Sequence, residues 1–149
     1  MISPEDIKFK SIVTEIDGLI RKHEWFDLQV YSYNHNRLLI AGGIDLTYYH
    51  SIEIIFEDVY FFTGYLSGWH ADTRKPVFEL PSESISLNLK FNNIQGYTLF
   101  RFNSEDTPDI YIAAAAVYYN TDTVYYYNKT DLKENERIAD FIKSGATPG

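Results

Sequence analysis

Residues 109–128, DIYIAAAAVYYNTDTVYYYN, decide the fold class that the sequence predicts for this 149-residue chain. β-branched and aromatic residues dominate both ends of the stretch, a composition typical of β-strands. Between them lies Asn-Thr-Asp-Thr at 120–123, and Asn and Asp favour turns because they tolerate left-handed backbone and hydrogen-bond locally. The stretch therefore predicts a hairpin of two long antiparallel strands.

The first arm of this hairpin is apolar on both faces. One face would carry Ile110, Ile112, Ala114 and Ala116, and the other Tyr111, Ala113, Ala115, Val117 and Tyr119. Such a strand belongs in the middle of a sheet, where its small alanines let a covering helix approach closely. A helix is the alternative because Ala is the best helix former, but a run of four alanines is short for one, and we favour a strand.

Alternating apolar residues and turn signals predict six further strands. They are expected at residues 27–33, 37–44, 51–63, 77–80, 85–91 and 97–102, with a turn at 34–36 and a loop at 64–76. The apolar phase of the third of these strands changes at Glu57 and Asp58, which predicts a bulge or tight turn there. Gly42 and Gly43 predict a bulge or a place where another backbone or a ligand comes close.

Helices are predicted at both ends of the chain. Ser-Pro-Glu-Asp at 3–6 is a helix start, and apolar residues at three-and-four spacing continue the helix to about residue 22. Asp131 with Glu134 predicts the start of a second helix that ends near Lys143. Together these elements predict an α+β fold in a single domain, residues 1–149. We expect a bent, mainly antiparallel sheet of about eight strands with the N- and C-terminal helices packed on one face.

Composition limits the possible functions. The absence of cysteine excludes thiol catalysis, Cys-ligated zinc and iron–sulfur clusters. A net charge of -8 argues against a nucleic-acid partner and favours a basic protein. No apolar run approaches the roughly 18–20 residues that a membrane span requires, and no signal peptide is visible, so we expect a cytoplasmic protein with no membrane partner.

Two groups of residues are candidates for chemistry. Trp69, His70 and Asp72 lie in the predicted loop, where His70 and Asp72 would act as metal ligands or as an acid/base pair. A plain surface loop is the commoner explanation of such a pair. His50 precedes Glu53 and Glu57, but strand alternation places the histidine on the face opposite to these acids, so the sequence argues against a joint site. We assign no catalytic residue, metal or cofactor.

The first half of the chain has the layout of a known class of proteins. A terminal helix is followed by Asp-Leu-Gln-Val at 27–30, Leu-Leu-Ile at 38–40 and Ile-Glu-Ile-Ile-Phe-Glu-Asp-Val at 52–59. This order of strands, with the acidity of the chain, resembles small acidic bacterial immunity proteins of polymorphic-toxin systems. The resemblance implies a cytosolic protein that binds and neutralises one toxin, and it carries over no functional residue.

The function that we predict is non-catalytic protein binding. Tyrosines cluster at 48–49, 118–119 and 125–127, and tyrosine provides large contact area at small entropic cost. The expected binding residues are Tyr48, Tyr49, Trp69, His70, Asp72 and Tyr119. The alternatives are a small metal-dependent hydrolase using residues 69–74 and a self-associating domain whose tyrosines meet in a homodimer.

Overall fold

The structure is a computed structural model that describes the backbone of residues 7–145 and the side chains of residues 7–142. Its elements in chain order are α1 (Lys10–Ile20), β1 (Phe26–Asn34), β2 (Arg37–Gly43), β3 (Tyr49–His50), β4 (Ile52–Thr63), β5 (Trp69–Ala71), β6 (Phe78–Glu79), α2 (Ser84–Lys90), β7 (Thr98–Phe102), β8 (Ile110–Asn120), β9 (Thr123–Tyr125), β10 (Glu136–Ile138) and α3 (Asp140–Gly145). The predicted start of the first helix at 3–6 and the tail at 146–149 lie outside the described residues.

The strands form two sheets. Seven strands make an antiparallel sheet in the order β5-β1-β2-β4-β8-β7-β6, which confirms the α+β class and the mainly antiparallel arrangement. Three short strands make a second sheet in the order β10-β9-β3, in which β9 and β10 run parallel. This small sheet is not predicted from the sequence.

The long stretch at 109–128 is correctly predicted in its first arm and wrong in its second. β8 lies between β4 and β7 in the main sheet, as its two apolar faces require. After Asn120 the chain turns, with the Asp122 amide donating to the Asn120 side chain at 3.0 Å. It then leaves the main sheet, and β9 pairs with β3 and β10 instead of folding back on β8.

The irregularity predicted from the change of phase in the third strand is confirmed. The β4 ladder shifts register between Val59 and Phe61, just after Asp58, which has a φ of 52°. At Gly42 side chains come close and not another backbone, because a Cβ there would be 2.5 Å from a ring carbon of Phe26. The prediction of the β1–β2 turn is also confirmed, with positive φ at His35 and Asn36.

The core lies between α1 and one face of the main sheet. It is built around the rings of Phe56, Phe78, Phe100 and Phe102, whose centroids are 4.4–6.2 Å apart. The sequence pattern predicts twelve core residues, of which the structure buries Phe9, Ile16, Leu28, Ile54, Phe56, Leu99, Ile112, Ala114 and Val117 and half-buries Ile12, Val30 and Ile138. The apolar residues of α1 therefore face the core, as their three-and-four spacing predicts.

The strand predicted at 85–91 is wrong, because this segment is helix α2. Its less exposed positions are Ser84, Leu87, Asn88 and Phe91, which follow the three-and-four spacing of a helix. Ile85 and Leu89 point outwards with 62% and 77% of their surface exposed. Because Ser84 and Asn88 on the inner side are polar, the apolar residues alone do not show the helical period.

The C-terminal helix is much shorter than predicted. Asp131 and Asn135 have φ values of 59° and 67°, and this left-handed backbone is incompatible with a helix over 131–135. The segment instead forms turns and then β10, and only Asp140–Gly145 is helical. The predicted loop at 64–76 is also partly wrong, since it contains the edge strand β5.

No helix among the described residues 7–145 is long and apolar enough to cross a bilayer.

Candidate functional site

A buried carboxylate, Glu53, joins the two sheets. Both of its oxygens accept hydrogen bonds from Nη2 of Arg137 at 2.7 Å, and one also accepts from the Asn120 amide at 3.1 Å. Nε2 of His50 lies 2.7 Å from the other oxygen. Glu53 belongs to the main sheet and Arg137 to the small one, so this cluster fixes one sheet against the other.

The cluster extends through His50 to a tyrosine. The Tyr126 hydroxyl lies 2.6 Å from Nδ1 of His50. Both contacts are satisfied by a neutral imidazole whose Nε2–H donates to Glu53 and whose Nδ1 accepts from the tyrosine hydroxyl. His50, Glu53, Asn120, Tyr126 and Arg137 are called the Glu53 cluster below.

Two opposed effects set the pKa of Glu53. Burial alone would raise it, but the hydrogen bonds from His50, Arg137 and Asn120 outweigh burial and lower the pKa to about 2. The carboxylate is therefore ionised at neutral pH. It forms a partly buried ion pair with Arg137, which a second carboxylate, Asp122, also contacts at 2.6 Å.

Burial, followed by the charges of Tyr31 and Glu53, raises the pKa of Tyr126 well above its ordinary value. A phenol that holds its proton this firmly is a poor base and a poor nucleophile at neutral pH. Tyr126, His50 and Glu53 form a continuous chain of hydrogen bonds. Its effect is to hold the Tyr126 ring in one orientation.

Sequence alternation placed His50 and Glu53 on opposite faces, and the structure brings them together. Ser51 is the reason, because the chain bends there and divides β3 from β4. A break in the strand changes the phase, so residues three apart meet. Glu57, the third member considered, instead pairs with Arg37 at 3.0 Å and does not join them.

Tyr126 also lines an open cavity between β1 and α3. The volume of this cavity is about 480 Å³. Its lining residues are Gln29, Val30, Tyr31, Ser32, Tyr126, Asp140 and Phe141. The ring of Tyr31 contacts His50 edge-on at 5.0 Å between centroids, so a second wall of the cavity rests on the Glu53 cluster.

Two of the predicted tyrosine clusters meet on the outer side of the small sheet. Tyr49 of β3 is directly opposite Tyr125 of β9, with ring centroids 6.2 Å apart, and Tyr125 contacts Tyr127 at 5.5 Å. Tyr48 precedes this pair and is 58% exposed. Tyr48, Tyr49, Tyr125 and Tyr127 are called the tyrosine surface below.

The third tyrosine cluster lies elsewhere. Tyr119 points to the core side and donates its hydroxyl to Glu15 of α1 at 2.9 Å, while its neighbour Tyr118 bonds Glu57 and Arg37 on the other side. Tyr119 therefore does not join Tyr48 and Tyr49, although the sequence analysis grouped them.

The candidates at 69–74 separate in the structure. Trp69 is buried in the core, with its ring 5.3 Å from that of Phe102. His70 is exposed and contacts Asp27, while Asp72 is bound by the side chain of Arg74 at 2.9 Å. Hydrogen bonding to Asp27 raises the pKa of His70. Within the described residues, no three His, Asp or Glu side chains are placed together to hold a metal ion.

Neither a protein-family model, nor a curated protein, nor a solved structure matches this chain.

Proposed function

We propose that the chain is a non-catalytic binding protein that engages a basic protein partner through the tyrosine surface. The observation that carries the proposal is the register of the small sheet, in which Tyr49 and Tyr125 are paired. This pairing joins tyrosines that are 76 positions apart in sequence into one patch of contacting rings.

The chemistry of the patch suits a protein interface. Tyrosine rings bury large areas with little loss of side-chain entropy, and their hydroxyls accept and donate hydrogen bonds at the rim. Tyr125 already donates its hydroxyl to Glu136 at 3.0 Å, which fixes its ring before any partner arrives. Preorganised rings reduce the entropic cost of binding.

The charge of the chain favours a basic partner. A net charge of -8 attracts a cationic protein at long range and speeds encounter, while the tyrosines supply most of the contact area. A cytoplasmic protein that neutralises one basic toxin, as the resemblance to immunity proteins implies, is the specific form of this proposal.

The metal-dependent hydrolase has less support. Asp72 is engaged by Arg74, and His70 is engaged by Asp27. A bound metal would have to displace both pairs. A homodimer is the alternative, in which two copies of the chain associate through the tyrosine surface. The same pairing of Tyr49 with Tyr125 supports it.

The experiment is an affinity pull-down from the native host with intact protein and with the double variant Tyr48→Ala, Tyr49→Ala. A double variant Tyr33→Ala, Tyr65→Ala serves as the matched control, because these exposed tyrosines lie outside the tyrosine surface. We expect a basic partner that binds the intact protein and the control but not the first variant. Equal recovery with both variants, or no partner at all, contradicts the proposal. Light scattering on the free protein detects a stable dimer, which would assign the patch to self-association.

A further inference from the structure

The cavity beside β1 has aromatic walls and an acidic rim. Tyr31 and Tyr126 stand 6.4 Å apart with their ring planes inclined by 24°, and Phe141 meets Tyr126 at 5.5 Å and 53°. Asp140 completes the lining. A volume of about 480 Å³ lies within the roughly 300–1,000 Å³ of small-molecule sites.

This combination is chemically selective for cations. The face of an aromatic ring carries partial negative charge, and several faces around one space attract an organic cation whose alkyl groups also pack against them. A nearby carboxylate adds a full opposite charge. Among the side chains of residues 7–142, no Lys, Arg or His pairs with Asp140 in an ion pair.

The electrostatic surroundings are consistent with a cation site. Burial first, and then the charges of Glu53 and Asp140, raise the pKa of Tyr31, with Arg137 acting in the opposite direction. The guanidinium of Arg137 is already held by Glu53 and Asp122. Two carboxylates therefore offset the positive charge of Arg137 near the cavity.

Two of the aromatic walls are also held in place before any ligand binds. The hydroxyl of Tyr126 is fixed by His50, which is fixed in turn by Glu53. Tyr31 packs on the same imidazole. Rigid rings lose little freedom on binding, so this support increases the affinity that the cavity offers.

We propose that this cavity binds an organic ammonium cation, with the rings of Tyr31, Tyr126 and Phe141 around its alkyl groups and Asp140 opposing its charge. The cation is either a free small amine or the modified lysine side chain of another protein. The proposal goes beyond protein binding by the tyrosine surface, which lies on the other side of the small sheet, and each can fail without the other.

The first test compares ligands on the intact protein. Choline, a short capped peptide carrying trimethyllysine, and the alcohol in which carbon replaces the nitrogen of choline are titrated separately at constant ionic strength. Nuclear magnetic resonance follows the signals of the tyrosine rings. We expect saturable binding of at least one cation and binding of the neutral alcohol that is weaker by about tenfold or more. The tighter of the two cations identifies the source. Failure of both cations, or equal binding of the alcohol, overturns the proposal.

The second test uses variants. Asp140→Asn removes the charge at nearly constant volume and should weaken cation binding by about tenfold, while Tyr31→Leu removes one wall and should weaken it by at least about fivefold. Tyr33→Leu on the same strand is the control, since Tyr33 does not line this cavity. Urea melts establish that each variant is folded. Unchanged affinity in Asp140→Asn, or an equal loss in the control, would contradict the assignment.

Discussion

The main sheet buries a cluster of phenylalanine rings beneath α1, whereas the junction of the two sheets buries the carboxylate of Glu53 and the imidazole of His50. The first region excludes water with apolar surface alone, and its stability follows from the area buried. The second excludes water only because hydrogen bonds and an ion pair satisfy its charge. The phenylalanine core therefore tolerates changes of pH, while the Glu53 cluster depends on the protonation of one group.

Phe100→Ala tests the apolar side of this comparison and should have the largest effect. Phe100 is fully buried against Phe9, Phe56 and Phe78. Its removal leaves a cavity that should lower the free energy of unfolding by about 3–5 kcal/mol. Urea melts measure the loss, with the exposed Leu89→Ala as control. A loss below about 1 kcal/mol would place the core elsewhere.

Glu53→Gln tests the polar side at nearly constant shape. The neutral amide cannot accept all the bonds that His50, Asn120 and Arg137 direct at it, and removing a charged acceptor costs roughly 1.5–3 kcal/mol. We expect a loss of about 2 kcal/mol in urea melts, together with faster amide exchange in β9 and β10. Exchange that speeds equally in all strands would show that the cluster does not specifically hold the small sheet.

The acid sensitivity of the protein should depend on the same residue. The pKa of Glu53 falls from 4.5 to about 2 on folding, so its contribution is present above pH 4.5 and is lost as the pH falls towards 2. The full shift corresponds to at most about 3 kcal/mol, and partial solvation of Arg137 reduces this to roughly 2 kcal/mol. Urea melts between these pH values should show a smaller loss in Glu53→Gln than in the native chain. Parallel curves would contradict the assigned shift.

His70→Gln should have the smallest effect on stability. Its pH dependence should run in the direction opposite to that of Glu53. Asp27 raises the pKa of His70 in the folded protein, so the stabilisation is complete below about pH 6.5 and disappears as the pH rises through the raised value. The pair is exposed, and its contribution should stay below about 1 kcal/mol. The two proteins should differ slightly near pH 6 and agree near pH 9. A larger difference at the alkaline end would contradict this.

The comparison also explains which features the sequence could predict. The phenylalanine core rests on strong periodic patterns, such as the stripe of α1 and the doubly apolar strand β8, and these identify elements without knowledge of their partners. The Glu53 cluster depends on a bend at Ser51 and on Arg137, which is 84 positions from Glu53. No local sequence pattern links those residues. The left-handed turns at Asp131 and Asn135 place Arg137 near Glu53, but the sequence around them resembles that of a helix.

The tyrosine surface could be predicted from the sequence only in part. The clusters at 48–49 and 125–127 are visible in the sequence as exposed candidates, but only the pairing of Tyr49 with Tyr125 shows that they form one patch. Tyr119 has the same local pattern and lies on a different side of the sheet. Composition can thus identify candidate contact residues, whereas grouping them requires the topology.

The distance along the chain between Glu53 and Arg137 has a consequence for synthesis on the ribosome. Glu53 and His50 emerge early, and Arg137 follows 84 residues after Glu53. Throughout that interval the carboxylate lacks the guanidinium with which it pairs in the folded protein, and an unpaired charge favours a hydrated position over a buried one. We therefore expect Glu53 to stay hydrated until Arg137 is available, and the small sheet to assemble late in folding.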